Sequence, residues 1–415
     1  MTYTYIEQLG LQSKTAFKEL KNASTETKNK ALTAISQALV NNTDAIIEAN
    51  AIDMKNAKEN GMSESLQDRL QLTADRIQSI ANSVLSVVEL NDPVGQVIRG
   101  NRLKNGLRVE QVREPLGTIA MIFEARPNVC VDAAVLSIKS GNTCILRGGK
   151  EAFNSNKALV ETMRTAISGI IPENAILFVE ELDHKYVDDI LKAIGFIDLV
   201  IPRGSNRLIQ KIVREARIPA IETGAGICHT YVAKTADFRK AIDIIVNAKA
   251  SRPSVCNSLE NVLVDETIAT EFLPKMKAAL DKVSVELRGD AKTCQIIEAV
   301  PATDEDFDTE YLDYILSCKV VKGVQEAIDF INTHSTKHSE AIVTENYTEA
   351  NIFLDQVDSA CVYVNASVRF SDGAEFGYGA EIGISTQKMH ARGPIGLQEL
   401  TTTKYRIYGD GQVRD

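Results

Sequence analysis

From about residue 107 the chain alternates short apolar runs with stretches of helical periodicity, and this alternation restricts the fold more than any other feature. Thr118-Ile119-Ala120-Met121-Ile122-Phe123 carries no charge, the pattern of a strand buried on both faces. Such a strand needs helices on both sides, and the sequence supplies them in turn. Helix-like stretches span 131–140, 155–168, 185–195 and 205–215; strand-like ones span 143–147, 175–179 and 199–201. The order implies βαβ units around a mostly parallel sheet. A second α/β block is expected over 228–364, opening with Cys228-His229-Thr230-Tyr231-Val232 and including a helix over 236–250.

The first 90 residues read as helices. Leu32, Ile35, Leu39 and Val40 form one stripe, and Leu72, Ile77, Ile80, Val84 and Val87 another, with Thr73 as a cap. Both stripes read as core faces without chemistry. The turn Asn91-Asp92-Pro93-Val94-Gly95 ends this region. Residues 107–112 alternate apolar and polar side chains, with a turn at Glu114-Pro115-Leu116-Gly117, and 401–408 alternate again. These two edge-like strands are expected to pair with each other and with a second subunit.

A chain of 415 residues calls for two or three domains. Its apolar and charged fractions, 44% and 25%, are those of a globular protein. The net charge of -10 disfavours a dedicated nucleic-acid binder, which needs clustered Lys and Arg, so small molecules or proteins are the expected partners. No basic segment followed by an apolar stretch opens the chain, and no apolar run approaches the roughly 18 to 20 residues that span a bilayer. The seven cysteines have no pairing pattern, which suits reduced thiols and a cytoplasmic setting.

Cys256 stands out among them, in Ser251-Arg252-Pro253-Ser254-Val255-Cys256-Asn257-Ser258, between a helix and the strand-like 259–264. An accessible thiolate is a nucleophile, although most lone cysteines are small buried hydrophobes. In Ile201-Pro202-Arg203-Gly204-Ser205-Asn206 a strand turns into a helix, whose amino terminus suits a phosphate; an ordinary turn reads the same way. Arg147 and Lys150 flank Gly148 and Gly149, a setting for an extra phosphate such as the 2′-phosphate of NADP. The phosphate-loop spacing of ATPases is missing. Glu222-Thr223-Gly224-Ala225-Gly226 reads as a hinge with a carboxylate or as a linker, and Cys228-His229 lacks the further ligand spacing of a metal site. The cluster His334-Ser335-Thr336-Lys337-His338-Ser339 suits an anionic substrate group, or is a solvated loop. On the first of these readings His338 and Ser339 would contact the substrate, and Arg252 and Ser254 on the cysteine loop are expected to do the same.

Taken together, Glu124-Ala125-Arg126-Pro127-Asn128-Val129, Leu146-Arg147-Gly148-Gly149-Lys150-Glu151-Ala152, Ile201-Pro202-Arg203-Gly204, Ile221-Glu222-Thr223-Gly224 with Cys228-His229, the Cys256 loop and 334–342 run through nearly the whole chain in order. They resemble the gamma-glutamyl phosphate reductase family of the aldehyde dehydrogenase superfamily. The resemblance implies an α/β, aldehyde-dehydrogenase-like fold: a Rossmann-type cofactor domain, an α/β catalytic domain and a small oligomerisation β-extension. Residues 1–227 would bind NADP(H), with strand 102–118 contributing to oligomerisation. Residues 228–364 would carry Cys256, and 365–415 would return to the cofactor domain and end in an oligomerisation strand.

The chemistry so implied is reduction of L-glutamyl 5-phosphate by NADPH, through a thioester on Cys256, to L-glutamate 5-semialdehyde, the second step of proline synthesis from glutamate. Asn128 would donate to the oxyanion with the Cys256 amide. Arg147, Lys150, Gly204, Ser205 and Glu310 would contact the cofactor. Glu222 aligns with the base that activates water in oxidising relatives, a base that phosphate release makes dispensable. No metal is implied; a homo-oligomer is, with glutamate 5-kinase as a candidate partner. Two other readings stay open: an oxidising aldehyde dehydrogenase with hydrolytic deacylation, and a non-catalytic subunit that binds the kinase.

Overall fold

The computed structural model describes residues 3–414, Ser65 by its backbone alone. The chain forms two compact units: 3–223, Gly377–Gly383 and 395–414 make the first, Gly224–Phe376 and Ile384–Pro394 the second. The sequence reading returned everything after residue 364 to the first unit. Instead 365–376 and 384–394 stay with the second. Among the described residues no helix is long and apolar enough to cross a membrane.

Five helices open the first unit: α1 (Tyr5–Leu20), α2 (Thr25–Asn41), α3 (Thr43–Glu59), α4 (Glu64–Leu70) and α5 (Ala74–Glu89). Their starts are set by capping side chains. Thr4 Oγ1 accepts from the Glu7 amide at 3.3 Å while Glu7 Oε2 accepts from the Thr4 amide at 2.8 Å, a reciprocal capping box. Thr73 caps α5 as expected, accepting from the Arg76 amide. Leu32, Ile35, Leu39, Ile77, Val84 and Val87 are buried, but Val40 is exposed. It lies beyond the stripe that 32, 35 and 39 share, at the end of α2.

Next come β1 (Val97–Arg102), β2 (Arg108–Pro115), β3 (Thr118–Phe123), α6 (Pro127–Lys139), β4 (Thr143–Arg147), α7 (Phe153–Ile167), β5 (Ile176–Phe178), α8 (Lys185–Leu191), β6 (Leu199–Arg203) and α9 (Asn206–Glu215). Strands β3 to β6 form a parallel sheet in the order β5-β4-β3-β6. Every residue of β3 and β4 is buried, as continuous apolar runs require. One face packs Ala120, Ile122 and Ile145 with Ile6 and Leu9 of α1 and Val187 and Ile190 of α8. The chain builds outward from β3 to β5 and then returns to β6 on the other side of β3. That reversal is a topological switch point, where parallel sheets place ligands beyond their carboxyl ends.

The second unit contains β7 (Cys228–Val232), α10 (Phe238–Ala250), β8 (Leu259–Asp265), α11 (Glu266–Asp281), β9 (Glu286–Gly289), α12 (Ala291–Ile296), β10 (Val300–Pro301), β11 (Ile315–Val321), α13 (Val324–His334), β12 (Ser339–Val343), α14 (Tyr347–Gln356) and β13 (Cys361–Val364), followed by a two-stranded pair, β14 (Ile384–Ser385) and β15 (Gly393–Pro394). The main sheet is parallel throughout, in the order β10-β9-β11-β8-β7-β12-β13. All seven residues of the central β8 are buried. Because the strands run one way, the segments that enter them share one edge. The loops before β7, β8, β11, β12 and β13 therefore converge there.

The last strand, β16 (Thr401–Tyr408), belongs to the first unit and pairs antiparallel with β2, from Thr401 opposite Pro115 to Tyr408 opposite Arg108. The pairing expected between the two edge-like strands is present. Strand β1 completes a three-stranded sheet on the other side of β2. It escapes sequence reading because all six residues are exposed, so no buried face imposes alternation.

Candidate active site

Cys256 lies at the amino-terminal edge of the second unit's sheet, on the loop from α10 into β8. It is half-buried; of the seven free cysteines only Cys256 and Cys294 are not buried. Its main chain is held tightly. A Cβ on Gly226 would stand 1.4 Å from the Cys256 carbonyl oxygen, so only glycine permits the approach. The Cys228 thiol donates to the same oxygen at 3.4 Å. Burial pushes the Cys228 thiol well above its ordinary pKa, with Glu340 and Cys256 adding to the shift. It is a neutral donor.

The strip before β7 is itself anchored. The Gly226 amide donates to Glu310 Oε1 at 2.7 Å, and the Ile227 amide donates to Thr336 Oγ1 at 2.9 Å. Glu310, expected to contact the cofactor, here accepts from the strip whose Gly226 meets the Cys256 main chain. The 334–339 cluster disperses in the same way. His334 Nδ1 faces Asp308 at 2.8 Å, Ser335 donates to Glu340, and Lys337 Nζ donates to Asp358 at 3.1 Å. His338 and Ser339 are wholly buried. His338 Nδ1 lies 2.8 Å from Ser339 Oγ and 3.9 Å from Cys228 Sγ. These two residues back the cysteine loop from inside; neither presents a surface to solvent.

Arg252 is exposed and Ser254 half-buried on the Cys256 loop. Sequence reasoning missed their neighbour Arg369, which follows β13 and is half-buried. Its Nε donates to Ser251 Oγ at 3.2 Å and its Nη1 donates to Asn257 Oδ1. In return Asn257 Nδ2 donates to the carbonyls of Arg369 at 3.1 Å and Ser371 at 2.9 Å. Only Asn257, adjacent to the cysteine, offered a sequence clue to this clamp. Behind the loop, Lys249 and Glu260 form a wholly buried ion pair at 2.6 Å. Burial raises the Glu260 pKa against the pull of Lys249, so the pair survives by mutual compensation.

The remaining expected residues belong to the first unit. Asn128 is exposed in the first turn of α6, its amide donating to Asp132 at 3.3 Å. Burial pushes the Asp132 carboxyl up to about 6, opposed by Asn128 and Arg203. Glu222 is half-buried, next to Thr223, whose hydroxyl donates to the Pro202 carbonyl at 2.7 Å. Arg147 is buried at the end of β4, donating to the carbonyls of Gly148 and Leu182 at 3.1 and 3.2 Å, whereas Lys150 is exposed. Burial holds the Arg147 pKa below its ordinary value, with Glu151 opposing.

Gly204 and Ser205 lie at the carboxyl end of β6, beside the end of β3, on the switch point. The Ser205 amide donates to Glu124 Oε2 at 2.6 Å and its hydroxyl to Glu124 Oε1 at 3.2 Å. The amino terminus of α9 thus already holds an anion, the protein's own carboxylate. At the carboxyl end of β4, two strands across the sheet from β6, Arg147 Nε and both amide atoms of Asn156 are buried without a partner among the described residues. A Cβ on Gly148 would stand 2.1 Å from Asn156 Nδ2. An anion-holding helix terminus and unspent buried polar groups around a glycine turn fit a phosphate-bearing dinucleotide. Among the described residues no group of three or more His, Cys, Asp or Glu could hold a metal ion.

The model of the aldehyde dehydrogenase family matches residues 2–295. A gamma-glutamyl phosphate reductase of Clostridium acetobutylicum is 52% identical over 412 residues, 99% of this chain and 99% of that protein. The crystal structure of gamma-glutamyl phosphate reductase from Thermotoga maritima superimposes with a TM-score of 0.98 at 47% identity, over 99% of this chain and 100% of that one. The fold alone extends further, to an acetylating aldehyde dehydrogenase of Geobacillus thermoglucosidasius, with a TM-score of 0.72 at 17% identity over 99% and 97% of the two chains.

Proposed function

The chain belongs to the aldehyde dehydrogenase family, and within it to the gamma-glutamyl phosphate reductases, and from that membership we propose that Cys256 carries the reduction of L-glutamyl 5-phosphate to L-glutamate 5-semialdehyde, in the synthesis of proline. The Cys256 thiolate attacks the acyl carbon. A C–S bond forms, the C–O bond to phosphorus breaks, and phosphate leaves with the electron pair. The thioester that remains is reduced, the C–S bond breaks, and the thiolate returns as the aldehyde departs. Covalent catalysis divides a hard reduction into two easier steps.

NADPH, when bound, supplies the hydride. The first unit's residues fit it: Gly204 and Ser205 at the α9 terminus for phosphate, with Arg147 and Lys150 at the turn after β4. Asn128 and the Cys256 amide donate to the developing oxyanion. Arg252 and Ser254 meet the substrate on the cysteine loop, while His338 and Ser339 support that loop from behind. Glu222 is not required, since phosphate departs without water. The observation that carries this reading is that Cys256 is a half-buried, accessible thiol whose main chain is immobilised and whose loop is bonded to the Arg369 guanidinium through Ser251 and Asn257.

We extend the proposal to a homo-oligomer joined through β16, supported by exposed Tyr405, Ile407 and Tyr408, to a reducing compartment such as the cytoplasm, supported by seven free thiols, and to glutamate 5-kinase as the supplier of a labile acyl phosphate. The decisive experiment follows NADPH formation from glutamate 5-semialdehyde and NADP, with and without phosphate, for wild type and Cys256→Ala. Strictly phosphate-dependent turnover, lost in a folded C256A, is expected. Turnover without phosphate would mean a hydrolytic dehydrogenase with Glu222 as base.

A further inference from the structure

We propose that Arg369, with Arg252 beside it, receives the phosphoryl group of the acyl phosphate and the phosphate ion that leaves; the inference rests on the acyl-phosphate reading above and adds a residue to it. The guanidinium is aimed by the loop that carries the nucleophile. Its Nε is tied to Ser251 Oγ and its Nη1 to Asn257 Oδ1, residues that bracket Cys256 in sequence. The Asn257 amide in turn grips the main chain at Arg369 and Ser371. Movement of either partner carries the other with it, so the cation and the thiol are kept in register.

The charges explain what such an arrangement is for. Arg369 is half-buried, and among the described residues no carboxylate forms an ion pair with it or with Arg252. Burial holds the Arg369 pKa below its ordinary value, the neighbouring Arg252 lowers it further, and Cys256 and Asp372 pull the other way. A half-buried guanidinium held by a hydroxyl and an amide oxygen, with no carboxylate bonded to it, is costly when no anion is present. An incoming phosphoryl group offsets that cost. The planar fork of a guanidinium matches phosphoryl oxygens, and its charge stabilises the dianion as the C–O bond breaks. Nothing in the motif around Cys256 signals Arg369, because it approaches from beyond β13.

The test needs no turnover. In the full-length protein, the rate at which iodoacetamide alkylates Cys256, followed by peptide mass spectrometry to separate it from Cys294, is measured against inorganic phosphate. Phosphate is expected to slow alkylation of the wild type. In Arg369→Gln the half-protecting concentration should rise at least about tenfold, the loss of roughly one charge-assisted pair of hydrogen bonds. Arg369→Lys, which keeps the charge and loses the fork, should fall between the two and stands in if the glutamine variant does not fold. Wild-type protection in both variants overturns the proposal, as does a wild type that phosphate does not protect. A wild type protected by phosphate but without phosphate-dependent NADPH formation would overturn the acyl-phosphate reading and leave phosphate binding by Arg369 standing.

Discussion

Gly226 and Cys256 meet main chain to main chain: the position a Cβ would take on Gly226 is 1.4 Å from the Cys256 carbonyl oxygen and 3.0 Å from its Cα. The two residues belong to loops that enter neighbouring strands of one parallel sheet, β7 and β8. Glu310 and Thr336 hold the Gly226 strip from the far side through its amides. Cys256 is therefore positioned by its backbone, with its side chain outside that contact.

Gly226→Ala tests this arrangement. The overlap is with main-chain atoms that cannot rotate away, and the amide anchors stop the strip from retreating. Displacement of the Cys256 loop by about 1 Å is expected to cost about 100-fold in kcat/KM, with overpacking costing about 1 to 3 kcal/mol of stability. Steady-state kinetics and thermal melting read both. An alanine variant with wild-type activity would show that the loops separate freely.

Glu124 competes for the place of a phosphate. Its carboxylate accepts from the amide and hydroxyl of Ser205, and two anions cannot share one helix terminus. Glu124→Gln should bind NADP about two- to fivefold more tightly at low ionic strength, from the roughly 0.3 to 1 kcal/mol that a charge is worth at such a terminus. The gain should shrink as salt is added. Calorimetric titration that shows equal affinity would place the dinucleotide phosphates away from Ser205.

Asp358 gathers three cations on the same sheet edge, accepting from Lys388 at 3.0 Å, Arg392 at 2.8 Å and Lys337 at 3.1 Å. The bonds from Lys388 and Arg392, with Lys337 adding to them against burial, hold its carboxyl below the ordinary 3.8. A folded-state pKa below the unfolded one means stability present above about pH 4 and lost as pH falls through the folded value. Asp358→Asn should therefore be less stable than wild type at pH 7, and the difference should begin to narrow below about pH 4 and keep shrinking as pH falls toward the folded value. Urea unfolding from pH 7 to pH 3 reads it; a difference that stays constant would remove Asp358 as its source.

How legible these features were depended on how far apart their parts lie. Strands β3, β4 and β16 are found in the sequence to the residue because a continuous apolar run or a clean alternation records burial locally. Helix α6 begins at Pro127, before the expected 131, because proline in the first helical turn is a start signal that the apolar pattern overlooks. Strand β1 left no trace, being exposed along its length. Within the site, Cys256 is conspicuous by its loop and by its family motif. Gly226 looked like part of a hinge, Glu310 like a cofactor contact, and Arg369 like nothing in particular.

The sequence by itself determined the parallel α/β construction and the family, and it singled out Cys256 with its flanking residues as the candidate nucleophile. These follow from periodicity and from motifs in which neighbours along the chain act together. Only the tertiary structure decided that Gly226 braces the Cys256 carbonyl, that Glu124 lies on Ser205 from 81 positions away, and that Arg369 grips Asn257 across 112. Steric contact and hydrogen bonding depend on separation in space, and strand order in the folded sheets, which local pattern does not record, sets that separation.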